Sequence, residues 1–172
     1  MNFTTTTTTT TTTLIWRLVI LFVAALVIAA AFPQTVFAQS DPLLGTWNLN
    51  LTKSTYRPGP PPRRSTISTQ AAGQALTSTF DGINAAGMPT HVVFTIVYDG
   101  QPHAVTGSGA IDASSIRRID ALKREYTNTK AGKVVASGTL VVSQDGKTLT
   151  IAGKGVNANG QPTDNIAVYE KQ

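Results

Sequence analysis

Beyond residue 40, apolar and polar residues alternate in short runs. Trp47, Leu49 and Leu51 alternate with Asn48 and Asn50, and Leu76, Ser78 and Phe80 alternate with Thr77 and Thr79. Leu149 and Ile151 alternate with Thr148 and Thr150, and Ile166 and Val168 with Ala167 and Tyr169. A period of two sends successive side chains to opposite faces, as in a strand with one buried face. The segment from His91 to Tyr98 is apolar on both parities, which predicts burial on both faces or contact with a ligand. Ile116 and Ile119 flank Arg117-Arg118, and Val134 to Val142 is a β-branched run. No window of about twelve residues carries apolar positions at helical spacing.

Turn signals separate these runs. Asp81-Gly82, Asp99-Gly100 and Asp145-Gly146 read as two-residue hairpins, because type I′ turns need positive φ at both central positions. Ala72-Gly73 and Ala131-Gly132 read as hairpin turns of about three to five residues, and Asn159-Gly160 as a further turn. The spacing predicts an all-β, antiparallel up-and-down meander of about eight to ten strands. Closing that meander into a barrel removes exposed edges and a wet apolar face. One segment interrupts the rhythm. Tyr56-Arg57-Pro58-Gly59-Pro60-Pro61-Pro62-Arg63-Arg64 is expected not to pair in a sheet, since Pro lacks the donor. It is read as a stiff, extended connector, serving as a loop over one barrel end or as a recognition element.

The N-terminal region has a different pattern. Ten Thr (Thr4–Thr13) precede Arg17, and residues 18–32 are apolar without a charge. Pro33 ends the run, and Val36-Phe37-Ala38 offers small or β-branched residues where a signal peptidase reads them. Residues 1–38 are therefore expected to be a cleaved signal peptide, with cleavage after Ala38. A membrane anchor is the alternative, but fifteen apolar residues fall short of the roughly 20 a spanning helix needs. The expectation is a periplasmic or extracellular protein with no stable membrane insertion after cleavage. Residues 39–172 then form one domain with a modest core.

Charge and chemistry change this picture little. Residues 39–172 hold 13 of the 14 Lys and Arg and all nine acids, a net charge of +4. There is no Cys, which excludes disulfides, thiol nucleophiles and thiolate metal sites. No Gly-x-Ser-x-Gly elbow and no phosphate-cradling Gly loop occur. His91 and His103 read as rim histidines, with a weak option that they face each other across the Asp99-Gly100 hairpin and hold an adventitious metal. Asp120 and Glu125 are expected to pair with Arg117, Arg118, Lys123 or Arg124 at the surface. That cationic cluster, with Arg63 and Arg64, could attract an anionic polymer or surface. Nucleic acid is not expected, because Tyr126 is the nearest aromatic to the cations and an exported chain seldom meets nucleic acid. No cofactor, no metal and no catalytic constellation are expected.

Gly45-x-Trp47, opening the first strand, resembles the Gly-x-Trp signature of lipocalins. The closing Val168-Tyr169-Glu170-Lys171 is similar to the last strand of fatty-acid-binding proteins. Both families belong to the calycin group of up-and-down β-barrels. The stretch Asp41–Ser54 and the Asp145–Thr150 hairpin also resemble small exported bacterial domains of unassigned function. The chain departs from these families in three places. Ala167 stands where fatty-acid-binding proteins carry the Arg of an Arg-x-Tyr carboxylate clamp, leaving Tyr169 alone. The Pro-rich connector replaces their two-helix lid, and no second lipocalin signature around Thr-Asp-Tyr is visible.

The resemblance implies a non-catalytic barrel that binds a small apolar or amphipathic ligand. The interior candidates are Trp47, Phe80, Phe94, Tyr98, Tyr126 and Tyr169, with Leu49, Leu76, Ile96, Leu140 and Ile151 also facing inward. The alternative is a solid barrel acting as an interaction module, through Arg63, Arg64, Arg117 and Arg118 and the connector.

Overall fold

The computed structural model describes residues 41–157 and 159–172, and the signal-peptide expectation for residues 1–38 lies outside them. Eleven strands follow in chain order: β1 (Gly45–Leu49), β2 (Thr55–Arg57), β3 (Arg64–Ala72), β4 (Ala75–Ile83), β5 (Pro89–Ile96), β6 (Pro102–Thr106), β7 (Ala113–Arg118), β8 (Lys123–Lys130), β9 (Lys133–Val142), β10 (Thr148–Val156) and β11 (Pro162–Lys171). From β3 to β11 each strand pairs antiparallel with the next, and β1 closes the ring by pairing with both β3 and β11. Trp47 lies opposite Ile67 on one side and Lys171 on the other. The ring has ten positions, because β1 and β2 share one. β1 pairs with the C-terminal half of β11 and β2 with its N-terminal half.

The break between β1 and β2 has a local cause. The Asn50 side chain accepts from the Lys53 N–H and the Thr52 hydroxyl, tightening residues Leu51–Lys53 into a 3-10 turn. Leu51 therefore leaves the alternation and is exposed, unlike the strand position expected of it. The Ser54 hydroxyl donates to the Asn50 carbonyl and accepts from the Val168 N–H, so the chain re-enters the sheet on β11 alone. Tyr56 and Arg57 thus do pair, opposite Asn165 and Asp164, contrary to the expectation for the connector. Arg64 likewise opens β3, the Arg63 N–H donates to the Ile83 carbonyl, and the unpaired Pro-rich part shrinks to residues 58–62.

Five of the six turn readings change. Asp81-Gly82 lies inside β4, with Asp81 opposite Thr66 and Gly82 opposite Ser65, and the hairpin follows at residues 84–88. The two-residue loops are those joining β3 to β4 and β8 to β9 instead. β8 and β9 join through Ala131 (φ 49°) and Gly132 (φ 73°), both left-handed, while the Asp112 carboxylate accepts from the Ala131 N–H. β3 and β4 join through Gly73 and Gln74. At Asp99-Gly100 and Asp145-Gly146 only Gly has positive φ. There the Asp carboxylate accepts from the backbone N–H two residues on, which stabilises a longer turn.

The core sits toward one end. Trp47, Ile67, Val142, Leu149 and Leu43 are the best-buried apolar side chains, and Ile96, Ile116, Leu76, Leu140 and Tyr169 join them. Each large side chain withdrawn from water contributes about 1.5–3 kcal/mol. This closed end carries the β3–β4, β5–β6, β7–β8 and β9–β10 turns. The opposite end, the mouth, carries residues 58–63, the hairpin at 84–88, the turn in which Asn157 bonds Gly160 and Gln161, and the β6–β7 and β8–β9 connections.

Candidate functional site

The pairing registers fix which side chains face inward. β3 contributes Ile67 and Thr69, β4 Ser78 and Phe80, β5 Phe94 and Ile96, β7 Ser114 and Ile116, and β8 Tyr126 and Asn128. Leu140, Leu149 and Ile151 complete the circle, with Leu43 as floor. These residues enclose a cavity of about 130 Å³. The exposure of its lining locates the opening: Leu43, Ile67 and Leu149 are sealed, while Phe80, Phe94, Tyr126 and Ile151 are only half-buried. The cavity therefore opens toward the mouth.

Its two sides differ chemically. On the β3–β4 side the Thr69 and Ser78 hydroxyls bond each other at 2.9 Å, satisfying both, and Phe80 packs on Phe94 with ring centroids 5.1 Å apart. On the β7–β8 side stand Ser114, opposite Asn128, and Tyr126, two residues along the same strand. Asn128 is 8 % exposed, and its Oδ1 is buried without a hydrogen-bond partner among the described residues. Burial raises the Tyr126 pKa, so this phenol stays neutral. Its hydroxyl occupies the space a Cβ on residue 153 would take, so Gly153 is what lets the ring lie across β10.

The closed end is organised by charge as well as packing. Asp41 receives the Leu43 N–H (2.9 Å), the Tyr98 hydroxyl (2.8 Å), Arg124 Nη2 (3.0 Å) and Arg118 Nη2. Burial alone would raise the Asp41 pKa. The Leu43 N–H, Tyr98 hydroxyl and two guanidinium groups outweigh it and hold the carboxyl below 3.8. Arg124 is fully buried, and its Nε and Nη1 find no partner among the described residues. Arg118 lies over the Tyr98 ring at 4.3 Å, and Lys171 over Trp47 at 4.9 Å. Trp47 donates from Nε1 to the Leu43 carbonyl at 2.9 Å.

Of the six interior candidates, Phe80, Phe94 and Tyr126 line the cavity. Trp47 and Tyr98 are spent on the floor and on Asp41. Tyr169 is buried beside Ser65, to whose hydroxyl it donates at 3.2 Å, and does not line the cavity. The four surface cations separate. Arg63 and Arg64 stand at the mouth, the Arg63 guanidinium against Gly87, whereas Arg117 and Arg118 are at the closed end, tied to Glu125 and Asp41. Arg124, expected at the surface, is buried beside Asp41.

The histidines do not face each other. His91 pairs with Asp81 and His103 with Asp99, because the β5–β6 register sets Val93 opposite Thr106. Among the described residues no three His, Cys, Asp or Glu side chains cluster as metal ligands. No helix of the described residues is long and apolar enough to cross a membrane.

Leu43, Ile67, Thr69 and Ile116 line the cavity without having been named as interior candidates, and so do Ser114 and Asn128, the two whose chemistry matters most. Both are polar, and Lys123–Lys130 lacks the apolar alternation that would reveal its inner face. Their signal is parity: Asn128 shares a face with Tyr126, and the register sets Ser114 opposite it.

No family model matches the chain, and no curated protein matches it. Among solved structures it is similar to a redesigned β-barrel, mFAP1, bound to DFHBI, at 13 % identity and a TM-score of 0.37. That match covers 76 % of this chain and 95 % of the other, and a likeness so loose carries no argument about function.

Proposed function

We propose that the barrel is an exported, non-catalytic carrier or sensor that holds one small, largely apolar molecule in its interior, as lipocalin-like barrels do. The observation that carries this reading is the unfilled cavity of about 130 Å³ opening between Phe80, Phe94, Tyr126 and Ile151. Protein interiors are close-packed, and a void of this size forfeits dispersion contacts that a ligand would restore. An apolar cavity of roughly 150 Å³ is enough to hold benzene. The export part of the reading rests on Arg17, the apolar run 18–32 and Val36-Phe37-Ala38.

Native mass spectrometry of the protein, purified without detergent from the compartment where it accumulates, tests both parts. The expected result is a chain beginning at Gln39, with a small adduct that leaves on denaturation. An intact N-terminus would refute cleavage. An adduct-free mass, together with no uptake of a fluorescent apolar probe, would refute the carrier role.

A further inference from the structure

We propose that the β7–β8 wall of the cavity recognises an uncharged hydrogen-bonding group, so that the ligand is a small ring or short chain bearing one hydroxyl or carboxamide. This rests on the interior-binding reading above and specifies its ligand. Three observations carry it. Asn128 is more than nine-tenths buried, lines the cavity and has an unpartnered Oδ1. A buried amide oxygen without a partner is destabilising, and a ligand group donating the missing bond recovers part of that. Ser114 stands directly across from Asn128, and Tyr126 lies beside it, both lining the same space. The opposite wall is already satisfied, because the Thr69 and Ser78 hydroxyls bond each other. The polar demand is therefore one-sided.

The demand is also neutral. Among the described residues, no Lys, Arg, His, Asp or Glu lines the cavity. The buried Arg124 is engaged by Asp41 on the closed-end floor, and Arg63 and Arg64 stand outside at the mouth. A carboxylate or ammonium brought to Asn128 would be desolvated without a counter-charge, which is far more costly than burying a hydroxyl. Turning the Asn128 amide about χ2 exchanges which of its atoms meets the ligand, and the Ser114 and Tyr126 hydroxyls donate or accept. The wall thus fits a hydroxyl or an amide in either sense. The ring faces of Phe80 and Phe94 and the Ile67, Ile96 and Ile151 side chains take the apolar remainder.

Phenol and toluene have nearly the same shape and differ in the group at issue. Titration of the protein with each, followed by NMR shifts of the cavity residues, tests the proposal. An apolar cavity favours toluene, because the phenol hydroxyl must give up water. The expected result is phenol binding at least as tightly as toluene. Asn128→Leu and Ser114→Ala should each weaken phenol about tenfold, and leave toluene unchanged or tighter. Benzoate should not compete. Toluene outbinding phenol, a folded variant that keeps the phenol preference, or benzoate binding as well as phenol would each overturn the proposal. If toluene binds and phenol does not, the carrier reading survives without this wall. If none of the three binds, both fall.

Discussion

The two ends of the barrel solve opposite problems with the same strands. At the closed end, large side chains meet across several seams: Trp47 faces Ile67, Leu149 faces Val142, and Asp41 holds Arg118 and Arg124. Toward the mouth β9, β10 and β11 carry small residues. Gly138 faces Gly153, Ala136 faces Gly155, and Ala167 faces Ile151. Side-chain volume thus falls along these three strands while the ring of ten positions persists. One end is plugged and the other left hollow, and stability should be concentrated where binding is not.

Removing the carboxylate that ties the closed end together should have the largest effect. Asp41→Ala leaves Arg124 fully buried with no anion, a change that costs about 3–5 kcal/mol. Chemical denaturation reads this as a lower midpoint with an unchanged slope. Arg124→Met should cost less alone, and added to Asp41→Ala it should restore part of the loss, since the orphaned charge goes with it. Acid tests the same contact without mutation. The folded Asp41 pKa lies below its ordinary value of 3.8, so its stabilisation is fully present above about pH 4. It is lost as pH falls through the lower folded value. A wild-type stability falling below pH 4, more steeply than that of Asp41→Asn, is the expected signature.

Truncation at each end sharpens the contrast. Leu149 is 2 % exposed and packed in the core cluster, so Leu149→Ala should cost about 2–5 kcal/mol. Ile151, one inward position further along β10, already borders empty space and is half-buried. Ile151→Ala should cost clearly less, and should enlarge the cavity enough to admit a bulkier apolar probe. Equal losses in thermal unfolding would mean that the mouth is packed as tightly as the floor.

How much of this was legible beforehand follows from the same asymmetry. Seven of the eleven strands came from short apolar or alternating runs between Gly-containing breaks, whereas β2, β3, β6 and β8 carry no such run. The plugging residues Trp47, Leu76 and Leu149 are apolar, so their face could be read. The polar inner face could not. In Lys123–Lys130 the inward residues are Arg124, Tyr126 and Asn128, and a polar residue in a strand reads by default as outward. Only the pairing with Ile116 and Leu140 reveals the parity. Asp41 was invisible for another reason: its partners lie 57, 77 and 83 residues away. The Asp-Gly turns misled because a side-chain bond to the backbone, not positive φ at Asp, decides their form.

Gly153→Ala probes the hollow end directly. A methyl there meets the Tyr126 hydroxyl, so the ring must swing away, at a cost of about 1–3 kcal/mol. The displaced ring would enter the space between Phe94 and Ile151, and apolar probes should bind about tenfold more weakly or not at all. Unchanged binding would mean that the Tyr126 side of the cavity is not where ligands sit.

The smallest effect is expected at the rim. Arg63 and Arg64 are exposed and form no ion pair among the described residues, so replacing both with Ala should shift stability by no more than about 0.5 kcal/mol. The consequence that matters is kinetic. Exposed cations at a mouth steer anions through solvent, with a strength that salt screens over about 10 Å at 0.1 M. A neutral ligand feels none of this, so phenol affinity and its salt dependence should be the same in the double variant and the wild type. If removing the two arginines weakens a neutral ligand severalfold, the mouth takes part in binding and the division between a structural floor and a binding interior is too simple. If it abolishes capture of an anionic amphipath while phenol is unaffected, the rim selects what approaches and the β7–β8 wall selects what stays.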